Sequence, residues 1–356
     1  MRVMHVTFDM RIGGTEMVIK NIIEGNTDAN IEMSIFCIEA PLGPWGEQLK
    51  DEGVAISTKA RKPGFDVSII KALRAHIKYK KIDVIHCHQY TPWVYGTLAA
   101  LFTPAKVIFT EHGRFYPDST TWKRKLVNPL LSRFTHAVTA ISEATKQAVA
   151  TFEHIPSNKI NVRPNWIDSD VFRPLGLRTN KKILFVGRLA AQKNINLILY
   201  ALEGTSNSLD IVGDGDMRDD LEKLAKKLKV HVKFLGRITN NRMPYMYNRY
   251  SVYVLCSKFE GNPKALLEAM SCGCAVIGTN APGICDVIRH EHTGLLVAES
   301  QKGLQEAINR LLDDDRLRNR LGKRARQYIL ENNSLNDAIE KECALYQKLL
   351  NHEPKA

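Results

Sequence analysis

The segment Glu260-Gly-Asn-Pro-Lys-Ala-Leu-Leu-Glu268 follows an apolar run, residues 251–256, that is typical of a buried strand. Asn262 can cap a helix, and Pro263 suits the first helical position because a backbone N–H is not needed there. This pattern predicts a strand, a loop and a helix, with Glu260 on the loop and Glu268 in the helix. The two carboxylates then flank backbone N–H groups at the positive end of a helix dipole. Such a place favours a ligand that offers phosphate to the amides and hydroxyl groups to the carboxylates.

Strand-like and helical stretches alternate on both sides of this segment. Strand-like runs occur at residues 3–8, 32–38, 83–87, 106–110, 137–141, 159–163, 182–189, 209–212, 232–235, 275–279 and 294–297. Such alternation is typical of parallel, doubly wound α/β sheets. With 356 residues the chain is long for a single hydrophobic core, so we expect two domains.

The spacing of Glu260 and Glu268, followed by Ala-Met-Ser-Cys-Gly-Cys-Ala-Val-Ile, resembles the signature of the retaining nucleotide-sugar transferases of glycosyltransferase family 4. The resemblance extends over nearly the whole chain. It implies the GT-B fold, in which two Rossmann-like, doubly wound parallel-sheet domains face each other across a cleft. In that family the first Glu contacts the donor sugar and the second contacts the ribose of the nucleotide.

The resemblance also implies a domain organisation. We expect an N-terminal acceptor-binding domain at residues 1–168 and a nucleotide-sugar-binding domain at residues 169–334. The segment 335–356 should form a helix that crosses back onto the first domain. Residues 173–180, rich in proline, glycine and polar residues, are predicted to link the two domains.

A Gly-Gly turn, Gly13-Gly14, follows the first strand and opens an amphipathic helix. Glycines at such a turn let a ligand approach the backbone and the N–H groups of the helix start. The glycine spacing of the dinucleotide-binding fingerprint is absent, which argues against an oxidoreductase. By the resemblance, Gly14 contacts the donor phosphate, and Thr15 and Glu16 are acceptor-side residues.

Histidines mark the predicted ends of two strands in the first half. His86 and His88 lie two residues apart on one strand and therefore point the same way. A metal site is one interpretation, but the sequence shows no third ligand nearby, and packing or a substrate contact is favoured. His112 ends the next strand. By the resemblance, His112 hydrogen-bonds the donor sugar and faces the reacting carbon.

The second half opens with the strand predicted at residues 182–189, which contains Arg188, and Lys193 follows at the start of a helix. Their side chains can bind a diphosphate, the guanidinium through two hydrogen bonds and the ammonium as a point charge. In the family these two residues neutralise the departing diphosphate, so that no metal-binding Asp-x-Asp motif is needed. The family counterparts of two further turns hold the nucleobase, which suggests Gly213, Arg237 and Ile238 as contacts.

The predicted site thus combines residues from both halves of the chain. The catalytic candidates are His112, Arg188, Lys193 and Glu260. Contacts to the nucleotide sugar are predicted for Gly14, Arg188, Lys193, Gly213, Arg237, Ile238, Glu260, Asn262, Pro263, Lys264, Ala265, Leu266 and Glu268. Acceptor contacts are predicted for Thr15 and Glu16. No metal ligand and no cofactor are expected.

The composition favours an anionic partner. Fifty Lys and Arg residues against 38 Asp and Glu give a formal net charge of +12. Basic and aromatic residues cluster at residues 71–81, 122–125 and 130–134. These clusters are either solvated charged helix faces or a surface that docks on anionic lipid, where each basic residue contributes about 1 kcal/mol. No helix-turn-helix, RNA-binding signature or zinc finger favours nucleic acid.

The resemblance implies a retaining, metal-independent hexosyltransferase of cell-envelope polysaccharide, lipopolysaccharide or glycolipid synthesis. Its donor would be a UDP- or GDP-linked sugar, and its acceptor a saccharide or a lipid-linked saccharide. Without a signal-peptide-like or membrane-spanning run, we expect a cytoplasmic protein with peripheral contact to the inner face of the cytoplasmic membrane. The odd number of cysteines, seven, indicates reduced thiols.

Two other classes of function stay open. A nucleotide-sugar epimerase or a phosphorylase can share the GT-B fold, because fold alone does not determine function. A catalytically decayed transferase that only binds a nucleotide sugar is the other alternative. The intact set of candidate residues favours transfer.

Overall fold

The computed structural model describes residues 1–113, 120–177 and 180–351. The chain forms two compact units. Unit 1 comprises residues 1–164 and the chain from residue 336 on, and unit 2 comprises residues 165–335. Residues 178–179 of the predicted linker and 352–356 of the predicted C-terminal segment lie outside the described residues.

Unit 1 contains a seven-stranded parallel sheet with the order β3-β2-β1-β4-β5-β6-β7. Its strands are β1 (Arg2–Thr7), β2 (Glu32–Cys37), β3 (Ala55–Thr58), β4 (Val84–His88), β5 (Lys106–Glu111), β6 (Ala137–Ala140) and β7 (Ile160–Val162). Its first six helices are α1 (Gly14–Gly25), α2 (Pro44–Asp51), α3 (Val67–Lys80), α4 (Tyr90–Ala100), α5 (Trp122–Arg133) and α6 (Glu143–Glu153). Every residue of β4 is buried, as expected for a central strand covered on both faces.

Unit 2 contains a six-stranded parallel sheet with the order β10-β9-β8-β11-β12-β13. Its strands are β8 (Asn180–Val186), β9 (Ser208–Val212), β10 (His231–Gly236), β11 (Tyr250–Leu255), β12 (Ala275–Thr279) and β13 (Leu295–Val297). Its helices are α7 (Ile195–Leu202), α8 (Arg218–Leu228), α9 (Met243–Arg249), α10 (Lys264–Ser271), α11 (Gln301–Asp313) and α12 (Asp315–Asn332). A 3₁₀ helix, Ala191–Lys193, precedes α7.

The C-terminal helix, α13 (Leu335–Asn351), packs within unit 1. Tyr346 on this helix is fully buried against Val3, Val84 and Ile108 of the sheet. A helix that follows unit 2 in sequence therefore completes the hydrophobic core of unit 1.

The two doubly wound parallel sheets predicted from the sequence are confirmed. The sequence did not indicate β3, a four-residue edge strand whose residues are exposed or half-buried. The strand predicted at residues 182–189 ends earlier, at Val186, because the chain turns at Gly187. This turn brings Arg188 into a loop at the carboxyl end of the sheet.

Candidate functional site

In each unit, predicted site residues follow strands at or next to the point where the strand order reverses. The order reverses between β8 and β11 in unit 2, and predicted residues follow both of these strands. It reverses between β1 and β4 in unit 1, where predicted residues follow β1 and where His112 follows β5, the neighbour of β4. Open α/β sheets bind ligands at the carboxyl ends of the strands at such a point. The topology of each sheet therefore accounts for where residues distant in sequence come together.

Glu260, in the loop after β11, is held by two short hydrogen bonds. Lys193 Nζ and Ser257 Oγ each lie 2.5 Å from Glu260 Oε1. Such charge-assisted bonds are stronger than neutral ones. The Glu260 backbone is held as well, because its N–H donates to the Pro282 carbonyl at 2.9 Å. Gly283 (φ 80°) packs against this backbone so closely that a Cβ atom there would lie 2.2 Å from the Glu260 carbonyl oxygen. The structure thus brings together two of the predicted catalytic residues, Lys193 and Glu260.

Helix α10 begins one residue later than the sequence predicted. Pro263, whose side chain offers no hydrogen-bond acceptor, occupies the N-cap position, and Lys264 is the first helical residue. Asn262 does not cap the helix because its side-chain oxygen accepts from the Asn165 N–H at 3.1 Å. The Asn262 carbonyl also accepts from the Asn165 side-chain amide at 2.8 Å. The predicted cap is therefore wrong, and Asn262 instead fastens the loop to residue 165.

The first turn of α10 offers a ligand mainly its backbone. Asn262 and Pro263 are buried, and the Leu266 side chain is fully buried in the core of unit 2. Lys264 and Ala265 are half-buried. Among these five predicted contacts, only Lys264 has a half-buried charged side chain.

Arg188 does not share a counter-ion with Lys193. Its guanidinium lies 3.0 Å from Asp216 Oδ2, and its side chain is 66% exposed. An exposed ion pair of this kind contributes little to stability. Arg188 can therefore exchange Asp216 for another anion at small cost.

The loop that carries Arg188 packs against the loop after β9. A Cβ atom at Gly213 (φ 130°) would lie 1.9 Å from the Gly187 carbonyl oxygen, so only glycine fits there. Gly213 therefore has a structural role in this loop pair whether or not it contacts a nucleobase. Arg237 is exposed, and Ile238 is half-buried against the core of unit 2.

Glu268 is half-buried in α10, where its Oε2 atom accepts a hydrogen bond from Tyr247 OH at 2.8 Å. Burial raises the pKa of the Glu268 carboxyl to about 7, against the smaller opposing effects of the Tyr247 hydrogen bond and the Lys264 charge. Glu268 consequently changes its charge near neutral pH, unlike a glutamate on the surface.

Unit 1 contains a chain of three hydrogen-bonded histidines that the sequence did not predict. His112 Nε2 lies 2.9 Å from His88 Nδ1, and His88 Nε2 lies 2.9 Å from His5 Nδ1. The rings are stacked, with centroids 5.1 and 5.2 Å apart. His5 and His88 are fully buried, and His112 is half-buried. The predicted catalytic residue His112 is thus the outer end of a chain that begins in the core.

His86 faces the same cluster but has separate partners. Its Nδ1 atom lies 2.8 Å from Tyr346 OH on α13, and its Nε2 atom lies 2.7 Å from Thr110 Oγ1. The His86 ring stacks on that of His88, with centroids 4.1 Å apart. The predicted common direction of His86 and His88 is therefore confirmed.

The third histidine that the metal interpretation lacked is His5, on β1. Ring nitrogens of His5, His86 and His88 lie within 4.8 Å of one another, close enough to hold a metal ion. Both ring nitrogens of His86 and His88, however, already lie within hydrogen-bonding distance of protein atoms. Metal binding would have to break these bonds, so the arrangement fits a hydrogen-bonded network better than a metal site.

The loop after β1 contains the remaining predicted residues. Thr15 is buried, and its Oγ1 atom accepts a hydrogen bond from Gln89 Nε2 at 3.1 Å. Glu16 is half-buried, and the space above Gly14 is open, since a Cβ atom there would meet no atom within 4 Å.

Gln89 has φ 73° and ψ 168°, a conformation that is almost restricted to glycine. Backbone strain of this kind clusters at functional sites, which makes Gln89 a further candidate.

The sequence did not indicate four residues that the structure places at the candidate sites, namely Ser257, Tyr247, His5 and Gln89. Ser257 lies three residues before Glu260 and could have been suggested as its hydrogen-bond partner. The fold brings Tyr247 to Glu268, which is 21 residues away in sequence, and His5 to His88, which is 83 residues away. No local pattern indicates such pairs.

Helix α5 exposes apolar side chains along one side. Three of them, Trp122, Leu126 and Leu130, follow each other at intervals of four residues, and Phe134, which caps the helix, continues the spacing. Basic residues lie between them, namely Lys123, Lys125 and Arg133. In the ranges that the structure describes, no helix has both the length and the apolar character needed to cross a membrane.

Two protein-family models match the chain in sequence. The model described as Glycosyltransferase Family 4 matches residues 12–171, and the model described as Glycosyl transferases group 1 matches residues 169–328. The two matches follow each other along the chain and together extend over most of it.

Individual relatives also match most of the chain. The chain is 27% identical to the UDP-Gal:alpha-D-GlcNAc-diphosphoundecaprenol alpha-1,3-galactosyltransferase of Escherichia coli, over 97% of this chain and 96% of the relative. It is also 27% identical to a Campylobacter jejuni alpha-1,4-N-acetyl-D-galactosaminyltransferase named for a PP-undecaprenol-linked acceptor, over 72% of each chain.

Solved structures show the same fold. A glycosyltransferase from Rickettsia africae superposes with a TM-score of 0.86 at 19% identity, over 99% of each chain. The Anabaena protein Alr3699/HepE in complex with UDP superposes with a TM-score of 0.85 at 18% identity, over 98% of this chain and 100% of that one.

Proposed function

Because the chain belongs to the glycosyltransferases of the family 4 type with the GT-B fold, we propose that it is a retaining hexosyltransferase. Its donor is a UDP- or GDP-linked sugar, and its acceptor is a saccharide or a lipid-linked saccharide of the cell envelope. The Escherichia coli relative is named for UDP-Gal, and the Anabaena protein was solved with UDP. These names favour UDP over GDP as the nucleotide to test first.

The observation that carries this proposal is the contact of Lys193 with Glu260 at the switch point of unit 2. A nucleoside diphosphate sugar brings a dianionic group for the cation and sugar hydroxyls for the carboxylate. On donor binding, the diphosphate takes over the Lys193 ammonium, and Glu260 exchanges that bond for the sugar hydroxyls. Ser257 keeps Glu260 in place during this exchange.

Transfer builds negative charge on the departing diphosphate. Arg188 and Lys193 offset this charge, together with backbone N–H groups at the start of α10. These groups supply the positive charge that a divalent ion supplies elsewhere, so we expect activity without a metal. His112 orients the sugar, and Glu268 contacts the ribose. The acceptor oxygen attacks from the face that the diphosphate leaves, which retains the anomeric configuration.

Two relatives bear names with undecaprenol-diphosphate-linked acceptors. We therefore favour a lipid-linked saccharide as the acceptor of this protein too. Glu16 is a better candidate for the acceptor contact than Thr15, since Thr15 is buried and its hydroxyl is bonded to Gln89.

A lipid-linked acceptor places the reaction at a membrane surface, and α5 has the properties of a membrane-docking helix. Its exposed apolar side chains can enter the interfacial region, and its basic residues can contact anionic headgroups. We propose that unit 1 binds peripherally to the inner face of the cytoplasmic membrane through this helix.

Flotation with phosphatidylglycerol vesicles tests the membrane proposal. The wild type should float with the vesicles at low salt and dissociate at high salt. The double variant Leu126→Ser/Leu130→Ser should lose this association. Phe102→Ser, which alters a 99% exposed side chain elsewhere in unit 1, is the control and should float like the wild type. Equal flotation of all three proteins would rule out docking through α5.

A thermal-shift panel with UDP, GDP and their hexose conjugates tests the donor assignment. A ligand at a hundred times its dissociation constant stabilises the folded state by about 2.7 kcal/mol. Arg188→Ala should lose most of this shift. Arg310→Ala, which breaks a comparable exposed pair with Glu291, should keep it. No shift with any of these nucleotides, alone or with a lipid-linked acceptor, would contradict the proposal.

Product analysis with the stabilising donor distinguishes the alternatives. A transferase releases the nucleoside diphosphate and extends the acceptor, whereas an epimerase returns an altered nucleotide sugar. A phosphorylase forms a sugar phosphate only when inorganic phosphate is present. A decayed transferase is stabilised by the nucleotide but forms no product.

A further inference from the structure

The chain of His112, His88 and His5 constrains where the protons of these three rings can be. In each N···N hydrogen bond, one nitrogen carries the proton and the other accepts it. A neutral imidazole has one protonated and one bare nitrogen. A neutral three-ring chain with two such bonds therefore has only two arrangements.

In the first arrangement, His5 Nδ1–H donates to His88 Nε2, and His88 Nδ1–H donates to His112 Nε2. The proton of His112 is then on Nδ1, and His5 Nε2 is bare. In the second arrangement, both bonds run the other way. His112 then carries its proton on Nε2, and His5 carries its proton on Nε2 as well.

The buried end of the histidine chain, His5 Nε2, distinguishes these two arrangements. His5 Nε2 is buried and has no hydrogen-bond partner, and the His5 side chain is fully inaccessible. The second arrangement would leave an N–H donor at this position without an acceptor, and buried orphaned donors are among the rarest groups in proteins. The first arrangement leaves only a bare nitrogen there.

We propose that His5 and His88 are positioning residues that hold His112 in the tautomer with its proton on Nδ1. The buried ring of His5 acts on His112 through His88, without touching it. His112 Nε2 is then permanently an acceptor within the protein, and His112 Nδ1 is a hydrogen-bond donor.

Two further observations support a neutral, unbranched chain. Burial lowers the pKa of His5 to about 3 and that of His88 well below its ordinary value, so neither ring is charged near neutral pH. His86 stacks on His88, but its own nitrogens face Tyr346 and Thr110 and do not enter the chain.

The consequence for catalysis rests on the proposed function. If His112 orients the donor sugar, a fixed Nδ1–H can only donate, so it selects an acceptor atom of the sugar, such as a hydroxyl oxygen. A histidine that can change its tautomer could either donate a hydrogen bond to the sugar or accept one from it. The buried chain would thereby make His112 a rigid and selective contact.

Ring nitrogen NMR of the resting protein tests the proposal without any sugar substrate. With ¹⁵N-labelled histidine, a protonated and a bare ring nitrogen differ clearly in chemical shift. The resonances of His112 are identified by their loss in His112→Gln. We expect a protonated Nδ1 and a bare Nε2 for His112 in the wild type. A proton on Nε2, or an average of both tautomers, would overturn the proposal.

Variants at the remote end test whether His5 imposes the tautomer. His5→Phe leaves His88 Nε2 as the buried atom without a partner, and because this atom should stay bare for the same reason, His112 should keep its Nδ1–H. His5→Asn places an amide near the position of the former Nδ1. Because the amide oxygen can accept from His88 and the amide nitrogen can donate to it, His112 should show averaged shifts of both tautomers. Tyr346→Phe, which removes a bond to His86 in the same cluster, should leave the His112 shifts unchanged. A fixed Nδ1–H in His5→Asn, or a proton on His112 Nε2 in His5→Phe, would refute the role of His5.

The wild-type spectrum alone can overturn the proposal, so it does not depend on the folding of any variant. If glycosyl transfer is observed, His5→Asn should lower kcat about tenfold, the effect of one misoriented hydrogen bond, at nearly constant donor KM. A protein that transfers no sugar but shows the expected tautomers would contradict the proposed function and leave the histidine chain intact.

Discussion

The two units place polar side chains at equivalent points of similar sheets, but the chemistry of these side chains differs. In unit 1, histidine rings and hydroxyl groups contact one another in a core that excludes water, and the ion pair of Glu342 with Arg163 borders this cluster beside His86. In unit 2, ammonium, guanidinium and carboxylate groups form pairs that are partly exposed. A neutral buried network keeps one geometry, whereas ion pairs can exchange partners when an anion arrives. The comparison suggests that unit 1 supplies fixed contacts and that unit 2 supplies the groups that rearrange.

The largest expected effect is on catalysis and concerns unit 2. Lys193→Ala removes the ammonium that we assign to the diphosphate, and it also removes one of the two partners of Glu260. Loss of one group that stabilises developing charge lowers kcat by about 10²–10³-fold. We expect a decrease of this size in the release of nucleoside diphosphate from the donor.

Lys302→Ala is the matched control, because Lys302 is an exposed lysine of the same unit that pairs with Glu306 at 3.9 Å. It should retain wild-type turnover. If Lys193→Ala lost no more activity than this control, the contrast between a rearranging unit 2 and a fixed unit 1 would lose its main support.

The second prediction is that the two sites respond to pH in opposite directions. The pKa of His5 falls from 6.5 to about 3 on folding, so its contribution to stability is complete above 6.5 and is lost as the pH falls. Between these two pKa values, the unfolding free energy falls by about 1.4 kcal/mol for each unit by which the pH falls. The pKa of Glu268 rises from 4.5 to about 7, so its contribution is complete below 4.5 and is lost as the pH rises to about 7.

The buried cysteines allow each unit to be measured separately. Thiol labelling in urea, read by peptide mass spectrometry, reports unfolding of unit 1 through Cys37 and Cys87, and of unit 2 through Cys256 and Cys272. His5→Phe should reduce the acid sensitivity of unit 1 alone, and Glu268→Gln should reduce the loss of stability of unit 2 towards neutral pH. If the unfolding free energy of each unit kept its pH dependence in both variants, neither residue would have the shifted pKa that its burial predicts.

The two parallel sheets could be predicted because strands and helices alternate along the chain. Local patterns and the family resemblance together predict site roles for the run from Glu260 to Glu268 and for the basic pair Arg188 and Lys193. The structure brings Lys193 and Glu260 into contact. The helix cap was wrong because Asn262 found a partner in Asn165, far away in sequence. Local patterns indicate what a side chain can do, but tertiary contacts decide which of its hydrogen bonds forms.

The histidine chain shows the same limit more clearly. His86 and His88 were recognised as a pair because both lie on one strand. Their relation to His5 depends on β1 and β4 being neighbours, with His5 paired in register with His86. A single sequence contains no local sign of this pairing, so the third histidine and the neutral character of the network became apparent only with the fold.

The smallest predicted effect tests the neutral network on its own. Tyr346→Phe removes the hydroxyl group that lies 2.8 Å from His86 Nδ1, while Glu342 Oε1 lies farther from that nitrogen, at 3.5 Å. Leaving a buried polar atom without a partner costs about 1–3 kcal/mol of unfolding free energy. We expect the loss to appear in unit 1, measured by the labelling of Cys37 and Cys87.

Tyr79→Phe is the control for this change, because the Tyr79 side chain is 82% exposed on α3 and its substitution should alter stability by less than about 0.5 kcal/mol. A loss confined to unit 1 would mean that α13 stabilises that unit through a specific hydrogen bond as well as through apolar packing. A Tyr346→Phe protein as stable as the control would mean that apolar contacts alone hold α13 in place. The neutral cluster would then orient His112 without contributing to the stability of the unit that contains it.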